Sequence, residues 1–448
     1  MLPDLIEMVP LDKPVRAEIT VPGSKSITNR ALILAALADG EVALTGALWS
    51  EDTQIMVEGL RKLGFEIHVE NDPEEFCNRT VTVKGLGGTI PNGGTAEKPL
   101  ELFVGNAGTA ARFLAAFVCL GNGVYRLSGV PRMHERPQAA LFQALRELGY
   151  RVESEQGNDR LPVKIFGKAE SEKRKAKISC TVSIEESSQF ASALLLCAGI
   201  GGWSVEVVGE NGDESAYVVM TTELIKRFPQ RGGTFQIEPD ASSASYFSAV
   251  GLIDFGRAFE FPKMPELWRC NVTVRNWPIN SWQPDGRFPR IFKQLPEIRI
   301  SRKADLGGNN LGDSIMTAIT LSPFLYAPST FTDLGHLRAQ ECDRVFALRT
   351  ELTRCGAKVV EEDDTLTVYP SQLHGAEIET YKDHRMAMCF AILGLKVPGI
   401  KIKNPACVKK TFPNFFQKLA APPPHGLGAT ILDGKAGRTL KLNELFAD

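Results

Sequence analysis

The chain has 448 residues, which is more than one hydrophobic core normally fills, so its length predicts two domains. Hydrophobic residues make up 43% and charged residues 23%, a composition typical of a soluble globular protein. The formal net charge of −2 excludes an overall basic field that would attract nucleic acid or an anionic membrane. A polyanionic ligand must therefore be bound by a local cluster of Lys and Arg.

The N-terminus and the cysteines favour a reduced, cytoplasmic protein. The first ten residues carry acids where a signal peptide has basic residues, and no stretch reaches the roughly 20 apolar residues of a membrane span. The nine cysteines are scattered, without a C-x-x-C pair or a histidine at zinc spacing, so we expect no metal site. Cys119, Cys197 and Cys389 lie in apolar runs and are predicted to be core residues.

The first motif is GSKSITNRAL at residues 23–32, which follows a strand-like run and precedes an apolar helical stretch. Backbone N–H groups at a helix N-terminus are unpaired and favour an anion. Ser26 and Arg30 are four residues apart and share a helical face, so both can reach one ligand beside Lys25. A capped helix with a surface arginine explains the same residues equally well.

One α/β pattern recurs along the chain. A helix ends in a glycine that suits a left-handed C-cap, and two strands follow. The spacing of the copies is too wide for a solenoid, so we interpret them as repeated α/β subdomains. The copies are residues 59–67 with 81–85, 144–152 with 163–167, and 351–359 with 366–369.

Three polar segments precede helical runs in the first half of the chain. Residues 105–110 form a glycine turn that allows close approach of a ligand, although a plain strand-to-helix turn is an equal explanation. Residues 128–137 present Arg132 and Arg136 in a proline-bounded loop, where surface arginines are the alternative. Residues 186–190 place three hydrogen-bonding side chains at a helix start, of which simple capping explains one.

The later polar segments are more specific. Asp313 precedes an apolar run, with an N-cap aspartate as the alternative. Residues 340–344 open a long helix, residues 381–388 set Asp, His and Arg before a buried helix, and Lys410 follows. Between the halves, residues 254–312 contain several prolines and all of Trp268, Trp277 and Trp282, which predicts loops with one short strand at 271–275. Residues 427–448 are interpreted as an appended extension.

Together these motifs resemble the 5-enolpyruvylshikimate-3-phosphate synthase family of enolpyruvyl transferases, from Pro22 to about Leu419. The matching segments are GSKSxTNRAL, GNAGTAxR, PRMxERP, SSQF, DASSASYF, ECDR, DHRMAMCF and KTFP. The resemblance implies an α/β (α+β) fold of two similar domains, each of three βαβαββ units, joined by a two-crossover hinge. The implied domains are residues 22–240, and residues 1–21 with 241–448, of which 427–448 form the extension.

The resemblance also implies transfer of the enolpyruvyl group of phosphoenolpyruvate to the 5-hydroxyl of shikimate 3-phosphate, without a cofactor or a metal. We expect a monomer whose partners are these small molecules. Phosphoenolpyruvate is then assigned to Lys25, Asn106, Gly108, Thr109, Arg132, Gln189, Arg344, Arg385 and Lys410. Shikimate 3-phosphate is assigned to Lys25, Ser26, Arg30, Ser187, Ser188, Gln189, Tyr217, Asp313, His336 and Gln340. One positioned base and one positioned acid are needed, and the candidates are Asp313 as base and Glu341 as acid, with Lys25 and His384 assisting.

Several positions depart from the family pattern. Gln340 and His336 stand where the family usually has lysine and asparagine, and Glu214 begins a segment that differs from the family's S-x-P-Y. Either another cation, for which Lys382 is the candidate, contacts the 3-phosphate, or the acceptor lacks that phosphate. Phe113 replaces a usual proline, which predicts weaker glyphosate binding. Pro289 and Pro296 interrupt a family helix at 285–295.

Three functional classes remain open at this stage. The first is a shikimate-pathway synthase, and the second is an enolpyruvyl transferase with a different alicyclic acceptor, including one without a phosphate. The third is a non-catalytic binding protein on the same scaffold, against which the intact Lys25, Asp313, Glu341 and Arg385 argue.

Overall fold

The computed structural model describes residues 2–168, 179–209, 212–252, 270–277, 281–296, 299–301 and 311–447. The chain divides into two compact units, which we call unit A (Gly23–Glu238) and unit B (Met1–Pro22 with Pro239–Asp448). Much of the proline-containing segment predicted to be irregular, including Trp268, lies outside the described residues. Within the described ranges, no helix has both the length and the apolar composition needed to cross a membrane.

Unit A contains ten strands and seven helices among its described residues. The strands are β3 (Asp39–Leu48), β4 (Ile67–Asn71), β5 (Asn78–Leu86), β6 (Leu100–Phe103), β7 (Val124–Ser128), β8 (Arg151–Ser154), β9 (Val163–Phe166), β10 (Ser179–Ser183), β11 (Ser204–Val208) and β12 (Gly233–Gln236). The helices are α1 (Lys25–Leu37), α2 (Glu51–Lys62), α3 (Gly108–Phe117), α4 (Pro131–Glu135), α5 (Ala139–Glu147), α6 (Ser188–Gly201) and α7 (Gly212–Arg227). The strands form three sheets, in the orders β12-β3-β5-β4, β6-β7-β9-β8 and β10-β11.

Unit B has the same three-sheet composition over its described ranges. Its strands are β1 (Leu5–Met8), β2 (Arg16–Ile19), β13 (Asn271–Val274), β14 (Ile300–Ser301), β15 (Ser329–Thr332), β16 (Val359–Glu362), β17 (Thr365–Val368), β18 (Glu377–Ile378), β19 (Ile400–Lys403) and β20 (Ile431–Asp433). Its helices are α8 (Ala241–Leu252), α9 (Phe288–Phe292), α10 (Ile315–Leu321), α11 (Gly335–Arg338), α12 (Arg344–Arg354), α13 (His384–Gly394) and α14 (Phe415–Ala420). The sheet orders are β18-β19-β1-β20, β14-β15-β17-β16 and β13-β2.

The four-stranded sheets share one topology. Each has a parallel pair at one edge and two antiparallel pairs beyond it, as in β12 parallel to β3, followed by β5 and β4. The three predicted repeats are the helix and antiparallel pair in α2-β4-β5, α5-β8-β9 and α12-β16-β17. Their glycines, Gly64, Gly149 and Gly356, have φ values of 96°, 94° and 92°, so each ends its helix in the conformation that only glycine adopts without strain.

Buried helices form the core of each unit. In α1 every residue from Ile27 to Leu37 is buried, and all ten residues of α3 are buried. Helices α1, α3 and α6 pack against one another in unit A, while α13 is buried over its whole length in unit B. Cys119, Cys197 and Cys389 are buried as predicted, and burial raises the pKa of the Cys389 thiol to about 12.

The C-terminal segment is an integral part of unit B, and its interpretation as an appendage was wrong. Strand β20 pairs antiparallel with β1 and completes that sheet. Leu445 and Ala447 are buried, and Ala447 N donates to Pro413 O at 3.0 Å. The apolar residues of the segment are spaced through a polar sequence, so their burial depends on tertiary contacts with β1 and with Pro413.

Candidate functional site

A buried arginine of α1 contacts helices α3, α6 and α7 in unit A. Ser24 caps α1 and Ser187 caps α6, each accepting a backbone N–H from two or three residues further on. Arg30 in α1 donates to Ser192 of α6 at 2.9 Å and to Thr221 of α7 at 2.7 Å. Its guanidinium also lies 5.2 Å from the ring centroid of Phe113, so Arg30 is a buried connector between these helices.

Lys25 is held at the first position of α1 by a buried acid. Its Nζ lies 3.3 Å from Asp52 Oδ2, and the lysine side chain remains partly exposed. Asp52 belongs to the first turn of α2, two residues after the N-cap Ser50. This pair fixes the position of the ammonium group and leaves it accessible to an anion.

A glycine cradle at the start of α3 lies against two buried arginines. A Cβ at Gly108 would lie 2.7 Å from Arg136 NH2 and would also collide with Arg112. Arg112 donates to Gln189 Oε1 at 3.3 Å, which joins α3 to the start of α6. Asn106 Oδ1 is buried and has no hydrogen-bond partner among the described residues, so it is an acceptor whose desolvation is not offset within this part of the chain.

The remaining predicted residues of unit A are distributed around these helix starts. Ser26 accepts from Arg30 through its backbone carbonyl, and Ser188 and Thr109 are buried. Tyr217 lies in α7, half-buried. Arg132 differs from the others because its side chain is 40% exposed and pairs with Glu135 at 2.7 Å. The side chain of Glu214 lies outside the described residues.

Unit B contains a buried network of charges centred on Arg344. Its side chain is only 2% exposed and contacts three carboxylates: Asp383 at 2.7 Å, Glu341 at 2.7 Å and Asp313 at 3.4 Å. Desolvation opposes the charge of Arg344, but these acids more than compensate and raise its pKa above the ordinary value. Glu341 in turn accepts from Lys410 Nζ at 2.9 Å.

Asp313 belongs to this network and is not a helix cap. It lies in the 3₁₀ turn Gly312–Ser314, and its Oδ2 contacts Arg385 NH2 at 2.9 Å. Asp383 is the cap of α13, accepting from Arg385 N at 2.8 Å while it also binds Arg344. Asp383 thus positions two arginines: it accepts the backbone N–H of Arg385 and pairs with the guanidinium of Arg344.

His384 is buried beside the network. Its Nδ1 lies 3.6 Å from Asp383 Oδ1. His336 in α11 and Gln340 after it are half-buried, whereas Lys382 is exposed and has φ 57°. In place of the family helix at 285–295, the described residues form a 3₁₀ turn at Pro284–Arg287 followed by α9.

Some charged residues near these sites were not predicted from the sequence. Asp52 and Asp285 are buried acids distant in sequence from the groups they contact, and no local motif marks them. Asp285 accepts from Ser314 N at 2.6 Å, and burial beside Asp313 raises its pKa to about 7. Arg112 lies within the recognised GNAGTAxR motif and Asp383 within DHRMAMCF, and these motifs were the available signal.

Comparison with known proteins identifies the family. The family model for EPSP synthase (3-phosphoshikimate 1-carboxyvinyltransferase) matches residues 10–419. The 3-phosphoshikimate 1-carboxyvinyltransferase of Opitutus terrae is 37% identical, covering 94% of this chain and 97% of the relative. That of Nostoc punctiforme is 36% identical, covering 93% and 98%.

Solved structures support the same fold. An EPSP synthase from Acinetobacter baumannii superimposes with a TM-score of 0.69 at 21% identity, covering 96% of this chain and all of that one. The enolpyruvyl transferase NikO from Streptomyces tendae gives a TM-score of 0.62 at 14% identity, covering 98% and 99%. The predicted mixed α/β fold is confirmed, and the chain belongs to the EPSP synthase (3-phosphoshikimate 1-carboxyvinyltransferase) family of transferases.

Proposed function

We propose that this chain transfers the enolpyruvyl group of phosphoenolpyruvate to the 5-hydroxyl of shikimate 3-phosphate and releases phosphate. The observation that carries the proposal is the charge network of unit B, in which Arg344, Arg385 and Lys410 are held by Asp313, Glu341 and Asp383. Such paired cations are already oriented and largely desolvated, so they stabilise an anionic ligand without reorganising. Family membership supplies the reaction.

The proposed binding residues are those assigned from the sequence, but the structure gives Lys25, Arg30 and Arg132 different surroundings. Lys25 is the most suitable cation of unit A because its ammonium is fixed by Asp52 and still accessible. Arg30 is buried and bonds to the backbone carbonyl of Ser26 and to Ser192 of α6. We therefore propose that it acts on the acceptor indirectly, by positioning Ser26 and these helices. Arg132 would have to exchange its exposed partner Glu135 for phosphoenolpyruvate.

The proton transfers are assigned to two carboxyl groups of unit B. Asp313 is a quarter exposed and not used as a helix cap, so it can accept the proton of the acceptor hydroxyl. Glu341 bridges Arg344 and Lys410, which places a carboxyl group beside the cations assigned to phosphoenolpyruvate. It is therefore the proposed acid that protonates C3 of the enol while the hydroxyl oxygen adds to C2, with Lys25 and His384 assisting. Loss of a proton from C3 together with departure of phosphate from C2 then restores the enol double bond.

A second candidate is an enolpyruvyl transferase whose acceptor lacks the 3-phosphate. Gln340 in place of a lysine removes one charge-assisted contact, which is worth about 1.5–3 kcal/mol where it is buried. The deciding experiment measures phosphate release from phosphoenolpyruvate with shikimate 3-phosphate, with shikimate, and without an acceptor. Turnover that requires shikimate 3-phosphate supports the first candidate, whereas equal or faster turnover with shikimate supports the second.

We also propose that the protein is a cytoplasmic monomer and that glyphosate inhibits it weakly. Phe113 is buried and contacts the Arg30 guanidinium, so the helix behind the glycine cradle is packed differently from one with proline at that position. An ordinary micromolar inhibition constant would contradict the proposal on glyphosate. Light scattering after size-exclusion chromatography tests the oligomeric state.

A further inference from the structure

The turn that carries Asp313 is held in place by a buried acid, Asp285. Asp285 lies in the 3₁₀ turn Pro284–Arg287, and its Oδ1 accepts the backbone N–H of Ser314 at 2.6 Å. Gly312, with φ 52°, begins the Asp313 turn, and a Cβ there would lie 2.7 Å from Asp285 Oδ2. The residues on both sides of Asp313 are thus fixed against one carboxyl group.

The Asp285 turn is itself anchored to the beginning of unit B's longer segment. Gln283 accepts from Ala241 N at 2.9 Å, and its side-chain amide donates to Pro239 O at 2.8 Å. Asp240 N donates to Pro22 O at 2.8 Å, which joins the two places where the chain enters or leaves unit B. Hydrogen bonds and short stretches of the chain therefore connect these crossover residues to the Asp313 turn.

We propose that Asp285 is a positioning residue for the transfer reaction, which acts by fixing the turn from which Asp313 reaches the acceptor hydroxyl. The inference rests on the proposed function, because it takes Asp313 to be the group that accepts the hydroxyl proton. Asp285 itself is almost fully buried and contacts the Ser314 backbone, so it does not need to touch the substrate. A displacement of a reacting group by about 1 Å can cost about 100-fold in rate.

The charges around Asp285 give the proposal a second, electrostatic consequence. Burial and the neighbouring Asp313 and Asp240 raise the pKa of Asp285, while Arg385 and the Ser314 N–H lower it, with a net value of about 7. Asp285 is therefore uncharged below this pH and becomes a second negative charge beside Asp313 above it. We expect kcat to change near pH 7 for this reason.

The test compares Asp285→Ala, which removes the acceptor, with Asp285→Asn, which keeps an acceptor oxygen but cannot titrate. At about pH 6, where Asp285 is uncharged, we expect Asp285→Ala to lower kcat by about 10–100-fold with a much smaller change in the KM for phosphoenolpyruvate. Asp285→Asn should restore kcat to near the wild-type value. Equal kcat for wild type and Asp285→Ala, or equal losses in both variants, would overturn the inference.

The pH profile adds a readout that a purely structural role would not move. The wild-type kcat profile should have an inflexion near pH 7 that Asp285→Asn lacks, and superimposable profiles would overturn the inference. Should Asp285→Ala fail to fold, Gly312→Ala serves instead, because its Cβ displaces the Asp285 carboxyl group; an unchanged kcat for folded Gly312→Ala also refutes the proposal.

A matched control is available in the same unit. Asp433 accepts backbone N–H groups of an exposed turn from Lys435 and Ala436, so Asp433→Ala removes the same kind of contact away from the proposed site and should leave kcat unchanged. The activity of the wild type distinguishes a failure of the proposed function from a failure of the proposed role of Asp285. Wild type that releases no phosphate with shikimate 3-phosphate contradicts the proposed function, whereas active wild type with an equally active Asp285→Ala contradicts only this inference.

Discussion

Removing the charge of Asp383 should destabilise unit B strongly, because Arg344 is buried with it. The two side chains are 0% and 2% exposed and lie 2.7 Å apart. Breaking a buried pair by removing one partner costs about 3–5 kcal/mol. Arg344 keeps Glu341 at 2.7 Å and Asp313 at 3.4 Å, so we place Asp383→Asn at the lower limit, about 3 kcal/mol.

A second substitution at the same position separates the ion pair from the helix cap. Asparagine can still accept the backbone N–H of Arg385, whereas alanine cannot, and loss of an N-cap costs about 1 kcal/mol. Asp383→Ala should therefore cost about 4 kcal/mol. For a body of roughly 150–250 residues, each kcal/mol lowers Tm by about 2–4 °C, so the expected shifts are about 6–12 °C for Asp383→Asn and 8–16 °C for Asp383→Ala.

Differential scanning calorimetry is the suitable assay, since it can resolve separate transitions for the two units. The control is Asp159→Asn in unit A, whose partner Arg146 lies 2.6 Å away in an ion pair that is about a third exposed. Exposed pairs contribute about 1 kcal/mol or less. The reasoning is refuted if Asp383→Asn lowers Tm no more than Asp159→Asn does.

Three further predictions follow from the proposed site and the fold. Glu341→Gln should fold, because an amide oxygen can still accept from Lys410, but its rate of phosphate release should fall to a small fraction of the wild-type rate. A substantial kcat in this variant would show that Glu341 is not the acid. Gln340→Lys should lower the KM for shikimate 3-phosphate and not that for phosphoenolpyruvate, and unchanged binding in a calorimetric titration would show that the missing charge is irrelevant. Deletion of residues 428–448 should lower the Tm of unit B by more than 5 °C, because burial of Ile431 and of Leu445 contributes about 1.5–3 kcal/mol each. An unaltered melting curve would contradict the integral role of the segment.

Local signals in the sequence predicted the helix starts and the repeats. Ser24, Ser187 and Asp383 are capping residues that act within three positions of themselves, so the chain around them is sufficient to predict the helix that follows. The glycines that end α2, α5 and α12 act in the same way. The sequence left Asp313 ambiguous because an N-cap aspartate and an aspartate that pairs with distant arginines have the same local sequence context.

The partners of the charged groups were decided by the tertiary structure alone. Lys25 is paired with Asp52, Arg385 with Asp313, and Arg344 with Asp383, across separations that no periodicity or cap spans. An ion pair depends on the distance between two side chains, and that distance is fixed only when distant helices and turns have packed against a common core. The sequence therefore determined which charged residues begin the buried helices, and the packing of each unit determined which of them neutralise one another.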